Sequence, residues 1–189
     1  MNLPTRITLM RILAVPVIVA LFYVTFPGHY IAATVLFAVA ALSDMADGRL
    51  ARSRNEVTAL GKLLDPIADK VLACTLLIME AANGDAMMFF NPPVGVILTA
   101  IIVGREVMVG AFRTIAAHKG VILAADKWGK LKTVFLNVSI PVMMLAEVHL
   151  AIKIIGNTLF GIAFLLTVIS GVNYLVKNRS VLAEEPENA

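Results

Sequence analysis

Four aspartates stand close together in a stretch otherwise rich in alanine, leucine and valine: Asp44, Asp47, Asp65 and Asp69. At about 100° per residue, Asp44, Asp47, Gly48, Ala51 and Arg52 share an arc of roughly 140° on one helix. Gly61, Asp65 and Asp69 drift across roughly 80° on the next. Consecutive antiparallel helices joined by a short turn pack together, so the two acidic faces are predicted to converge. Four converging carboxylates repel one another unless some stay protonated or cations sit between them. Arg52 alone does not neutralise four. Oxygen-only ligands suit Mg²⁺, Mn²⁺ or Ca²⁺ and not zinc. Two such ions spaced as a clamp suit phosphoryl chemistry. Gly48 and Ala51 on the same face leave room for a ligand to approach the backbone. Two other readings stand beside this one. The aspartates can brace a helix hairpin through Arg49, Arg52, Lys62 and Lys70, or they can serve an ion-coupled transporter. Transporter carboxylates usually sit near the membrane midplane. These stand toward one end of their spans, which suits a soluble substrate meeting a lipid. His29, His118 and His149 are scattered, and no Ser/His/Asp or Cys/His grouping offers a covalent nucleophile.

The elements that hold these residues read as membrane spans. The 189 residues are 59% hydrophobic and 15% charged, against roughly 25% charged in a soluble domain. Mean hydropathy is +0.87. A single water-soluble core of this size cannot hide so much apolar surface, so the excess faces lipid. That excludes a disordered chain and an ordinary cytosolic enzyme. The lone Cys74 excludes an intrachain disulfide and any cysteine metal cluster. Six stretches are long enough to cross a bilayer: 7–26, 31–54, 60–83, 92–118, 129–150 and 154–176. Turn-like separators fall at 27–29, 54–56, 83–85, 119–120 and 149–153. Pro4 and Thr5 open a helix, and no small-residue cleavage site follows the first span, so that span is expected to stay.

Lysines and arginines give the orientation. All of them except Lys153 fall on the side of the membrane that carries both termini, which makes that side cytoplasmic. The basic residues therefore read as topology signals, and nucleic acid is not an expected partner. Trp128 and Tyr174 are placed at the cytoplasmic boundary, Tyr23 and Tyr30 at the outer one. The fold class is thus all-α: a polytopic membrane protein with six transmembrane helices and both termini cytoplasmic. A single domain is expected over 1–182, with a disordered acidic tail over 183–189.

The run Asp44-x-x-Asp47-Gly48-x-x-Ala51-Arg52, followed after eight residues by Gly61-x-x-x-Asp65-x-x-x-Asp69, resembles the signature of the CDP-alcohol phosphatidyltransferases. All eight positions match. The resemblance covers most of the chain and weakens after about residue 150. It implies that Asp44, Asp47 and Asp65 are ligands to two divalent cations, Mg²⁺ or Mn²⁺. It implies that Asp69 borders the metals and takes the proton of the acceptor hydroxyl. Gly48, Ala51 and Arg52 would contact the CDP moiety, with Gly61 and Thr8 assigned beside them. It also implies a homodimer and direct displacement of CMP.

The motif does not choose the acceptor alcohol. The opening Asn2-Leu3-Pro4-Thr5-x-x-Thr8-x-x-Arg11 resembles family members that join CDP-diacylglycerol to sn-glycerol 3-phosphate in phospholipid biosynthesis. So do the run from Leu63 to Lys70, Gly104-Arg105-Glu106, and Gly129-Lys130-x-Lys132-Thr133. Inositol phosphate, serine and phosphatidylglycerol remain alternative acceptors. Charge adds an independent reason. Arg105 and Arg113 lie about 80° apart on span four, and Lys130 and Lys132 begin span five. Arg105, Arg113 and Lys130 are the candidate pocket for the acceptor phosphate, with arginine suited to bidentate contacts. Their alternative role is to set topology or meet anionic lipid headgroups. Glu106 reads as a partner for a nearby arginine. A bacterial inner membrane, with the active site facing the cytosol, is the expected location.

Overall fold

The computed structural model describes residues 3–24, 26–53, 59–83, 92–121, 123 and 127–179. They form α1 (Leu3–Tyr23), α2 (His29–Ser53), α3 (Ala59–Ala82), α4 (Pro92–His118), α5 (Lys127–Met144) and α6 (Leu150–Lys177). No strand occurs among the described residues. The separators expected at 54–56 and at 84–85, and the tail over 183–189, lie outside them.

Local chemistry explains several of the helix ends. Pro4 stands in the first turn of α1, where its missing N–H costs nothing. Gly120 takes φ +73°, and it ends α4 in a Schellman arrangement. Val121 N–H donates to Ala116 O at 2.8 Å and Gly120 N–H to Ala117 O at 3.0 Å. The expected fifth span needs correction. It does not run to residue 150 with a break after it. Instead α5 stops at Met144 and α6 begins at Leu150. His149 is extended, and its Nδ1 accepts from Ala151 N–H at 3.1 Å. That satisfies one of the orphan donors of the helix start. Hydropathy runs through 145–148 because only Glu147 there is charged, so the cap and not the apolar pattern sets the boundary.

The pairing of α2 with α3 is also revised. α1 lies against both helices far more extensively than they touch each other. Small side chains let it in: Ala33 and Ala40 on α2 and Ala68 on α3 are buried. Val15 and Ile18 of α1 meet Phe37 of α2, Leu72 and Leu76 of α3, Ile102 of α4, Leu136 and Ile140 of α5, and Phe160 of α6 in one core. A second cluster, Val109, Phe112, Ala116 and Tyr174, joins α4 to α6. Tyr174 is therefore interior, only 3% exposed, and not a boundary aromatic. Tyr23 is exposed as expected.

Among the described residues, three helices are long and apolar enough to cross a membrane: Arg6–Tyr23, Pro93–Ala117 and Leu150–Lys177. α5 is interrupted by three lysines, Lys127, Lys130 and the buried Lys132. The outward residues are apolar, for example Val35, Val39 and Leu42 on α2, Ile97 and Val107 on α4, and Leu165 and Val172 on α6. Such a surface suits lipid and not water.

Candidate active site

The last turns of α2 carry Asp44, Asp47, Gly48, Ala51 and Arg52, and the first turns of α3 carry Gly61, Asp65 and Asp69. The side chains of all of these except Asp69 lie outside the described residues. Among the described residues no group of three ligating side chains gathers. The donor set itself fits hard divalent cations: it is four carboxylates, spaced i, i+3 on one helix and i, i+4 on the next.

Asp69 is held from α1. Its Oδ1 accepts from Arg11 Nη1 at 2.9 Å, and the Arg11 side chain is 0% exposed while that of Asp69 is 48% exposed. Arg11 Nε also donates to Ala40 O on α2 at 3.2 Å. One buried guanidinium thus ties α1 to α2 and α3, and it fixes the carboxylate while leaving it open to a substrate. Charge-assisted bonds of this kind are about twice as strong as neutral ones. Thr8, one turn earlier on α1, is buried on the same face. The sequence places Arg11 in the opening motif and on the basic side of the membrane, but gives no sign of its contact with Asp69.

Glu106 on α4 is the second centre. Its carboxylate is ion-paired with Lys70 of α3 and with Lys132 of α5, and it accepts from Arg105 Nη1 at 3.1 Å. A nearby arginine was expected; the two lysines were not. Lys70 therefore serves Glu106. Arg105 Nη2 donates to Ser170 Oγ of α6 at 2.9 Å. Gly171 makes room for it, since a Cβ there would stand 3.2 Å from Arg105 Cγ. Arg113 Nε donates to Tyr174 Oη at 3.2 Å, and its guanidinium lies 5.4 Å from that ring's centroid.

These groups line a cavity of about 340 Å³ with five cationic side chains, Lys70, Arg105, Arg113, Lys130 and Lys132, and one carboxylate, Glu106. The three expected phosphate ligands are thus brought together. Lys130 reaches the cavity from an exposed position, whereas Lys132 is 2% exposed. A neighbouring cavity of about 280 Å³ is lined by Asp69 together with Lys70, Arg113, Lys132 and Glu106. A group held by the cations can therefore present another of its atoms to Asp69. Excess positive charge in a partly closed space selects an anion with more than one negative charge.

Comparison with known proteins agrees with this geometry. Residues 1–170 match the CDP-alcohol phosphatidyltransferase family. A CDP-diacylglycerol–glycerol-3-phosphate 3-phosphatidyltransferase of Rickettsia bellii is 33% identical over 92% of this chain and 93% of its own length. Proteins of the same name from Shigella flexneri serotype 5b and Escherichia coli K12 are each 32% identical, over 97% of this chain and 98% of theirs.

Proposed function

The chain belongs to the CDP-alcohol phosphatidyltransferase family, and from that premise we propose that it transfers the phosphatidyl group of CDP-diacylglycerol to sn-glycerol 3-phosphate. The products are phosphatidylglycerophosphate and CMP. The relatives matched over nearly their whole length carry this activity in their names. The observation that carries the acceptor assignment is the shared cavity, where the half-exposed Asp69 stands beside Lys70, Arg113 and Lys132. Glycerol 3-phosphate has the matching chemistry: a dianionic phosphate for the cations and a hydroxyl for the base.

In this reading Arg113, Lys132 and Lys70 hold the acceptor phosphate, with Arg105 and Lys130 completing the pocket. Asp69, fixed by Arg11, takes the proton of the attacking hydroxyl. The hydroxyl oxygen bonds to the phosphorus that carries diacylglycerol, and the bond from that phosphorus to CMP breaks. Arg52, Gly48, Ala51, Gly61 and Thr8 contact the CDP part. Asp44, Asp47 and Asp65, bordered by Asp69, would hold two divalent cations, Mg²⁺ or Mn²⁺. The chemistry supplied by bound metal is neutralisation of the diphosphate and of the leaving CMP. The protein is read as a homodimer of six-span domains over 1–182. Both termini and the site face the cytosol across an inner membrane.

The test is CMP release from labelled CDP-diacylglycerol in detergent, with acceptors supplied one at a time and products separated by thin-layer chromatography. Glycerol 3-phosphate should support turnover; serine, inositol phosphate and phosphatidylglycerol should not. Release with none of them would return the chain to the transporter reading. EDTA should stop the reaction and Mg²⁺ or Mn²⁺ restore it, and Asp65→Asn should abolish it in protein that still folds.

A further inference from the structure

At the end of the bundle remote from Asp69 lies a second cavity, of about 380 Å³. Glu80 sits on α3 eleven residues beyond Asp69, a rise of roughly 16 Å. It is 1% exposed, and neither of its carboxylate oxygens has a hydrogen-bond partner among the described residues. A buried carboxylate without a partner is costly, so this one points to a ligand that brings donors. Glu147, from the turn before α6, lines the same cavity, as do Lys153, His29, Tyr23 and Tyr30. His29 Nδ1 is 3.1 Å from Leu21 O. A carbonyl only accepts, so Nδ1 carries a proton in this contact.

We infer that this cavity binds the headgroup of a zwitterionic aminophospholipid, whose primary ammonium meets Glu80 and Glu147 and whose phosphate meets Lys153. Three observations favour that occupant over a bare cation. The space is many times the volume of an ion. A lysine shares it with the two acids, which opposes a simple cation and suits a molecule bearing both signs. Tyr23 and Tyr30 line it, and tyrosine is a residue type enriched where proteins meet lipid headgroups. The site uses none of the residues assigned to transfer. In the six-span reading it opens to the opposite leaflet.

The experiment is native mass spectrometry of the full chain released from detergent, titrated with dioleoylphosphatidylethanolamine, and with the choline and glycerol lipids as comparisons. Phosphatidylethanolamine should bind at one saturable site. Phosphatidylcholine, whose ammonium has no N–H, and phosphatidylglycerol, which has no ammonium, should bind about 10-fold more weakly or worse. Glu80→Gln should cost phosphatidylethanolamine a similar factor and leave CMP release unchanged. Should that variant fail to fold, Glu147→Gln, at an exposed position, carries the same expectation. Lys153→Met should weaken phosphatidylethanolamine binding as well. Equal binding of ethanolamine and choline lipids overturns the proposal. So does a Glu80-dependent affinity for CaCl₂ or MgCl₂ without one for phosphatidylethanolamine. Because the readout is lipid retention and not turnover, its failure leaves the transferase reading untouched.

Discussion

Glu106 and Glu80 are both buried carboxylates in apolar helices, 5% and 1% exposed, and their surroundings are opposite. Glu106 gathers Lys70, Lys132 and Arg105 from α3, α5 and its own helix. Glu80 has no hydrogen-bond partner among the described residues. A buried ion must be compensated by something. At Glu106 the protein compensates it internally, and the surplus is positive. At Glu80 no internal compensation is visible, and the surplus is negative. The sign of the surplus is what separates an anion site from a site for an ammonium, and both ends of one bundle show it.

The sharpest way to break that contrast is turnover. Asp69→Asn should lower kcat by about 10²–10⁴-fold, because proton removal matters only in the transition state. Affinity for CDP-diacylglycerol should change far less. Glu80→Gln, at the other end of the same helix, should leave kcat unchanged. The paired measurement is the rate at saturating substrates plus CDP-lipid binding for both variants. An Asp69→Asn protein that only binds CDP-diacylglycerol more weakly would remove the base role.

Stability supplies the next contrast. Glu106→Gln removes the one carboxylate among Lys70, Lys132 and Arg105, leaving cations packed without a counter-ion. Breaking a buried pair in this way costs about 3–5 kcal/mol. For a chain of this size that lowers Tm by roughly 6–20 °C. Glu80→Gln in amine-free detergent removes a charge that has no described partner, so it should be neutral or raise Tm. Thermal unfolding of the two variants side by side decides it. Equal losses would mean that Glu80 is also satisfied from within.

How far the sequence foretold this arrangement follows from which forces are local. Helix cores were legible from hydropathy, and the turns at Gly28 and Gly120 from residue type, because both depend on neighbours a few residues away. The break between α5 and α6 was not, since a histidine cap sets it inside an apolar run. Asp69 was legible from its motif. Its partner Arg11 was not, because their contact spans 58 residues and depends on α1 lying between α2 and α3. Lys130 and Lys132 stand about 200° apart on a helix, so only one of them can be buried against the bundle. Spacing tells that much and not which. The buried position of Lys132 came only with the packing of α5 against Glu106.

Arg113 tests the positive end without disturbing its centre. It binds Tyr174 and does not pair with Glu106 among the described contacts, so Arg113→Gln should leave folding largely intact. Losing a charge-assisted hydrogen bond costs about 1.5–3 kcal/mol, which raises KM for glycerol 3-phosphate by about 10–150-fold. CDP-lipid affinity should hold. Arg105→Ala is a poorer probe, because Arg105 also braces Glu106 and Ser170, and its loss mixes stability with binding. An unchanged acceptor KM in Arg113→Gln would return the cation to setting topology.

Lys130 gives the smallest expected effect and the finest discrimination. It lines the same cavity as Arg113 and Lys132, but its side chain is exposed. An exposed ion contributes up to about 1 kcal/mol to a contact, so Lys130→Ala should raise the acceptor KM by no more than about 5-fold. Salt provides the second axis. The Debye length falls from about 30 Å at 0.01 M to about 8 Å at 0.15 M. The penalty of Lys130→Ala should therefore shrink over that range, while that of Arg113→Gln should shrink less, because Tyr174 holds its guanidinium in place. The measurement is acceptor KM for both variants at the two ionic strengths. A Lys130 effect as large as that of Arg113, and insensitive to salt, would mean that Lys130 closes onto the bound phosphate. The boundary of the positive cavity would then lie one helix turn further out than the buried side chains indicate.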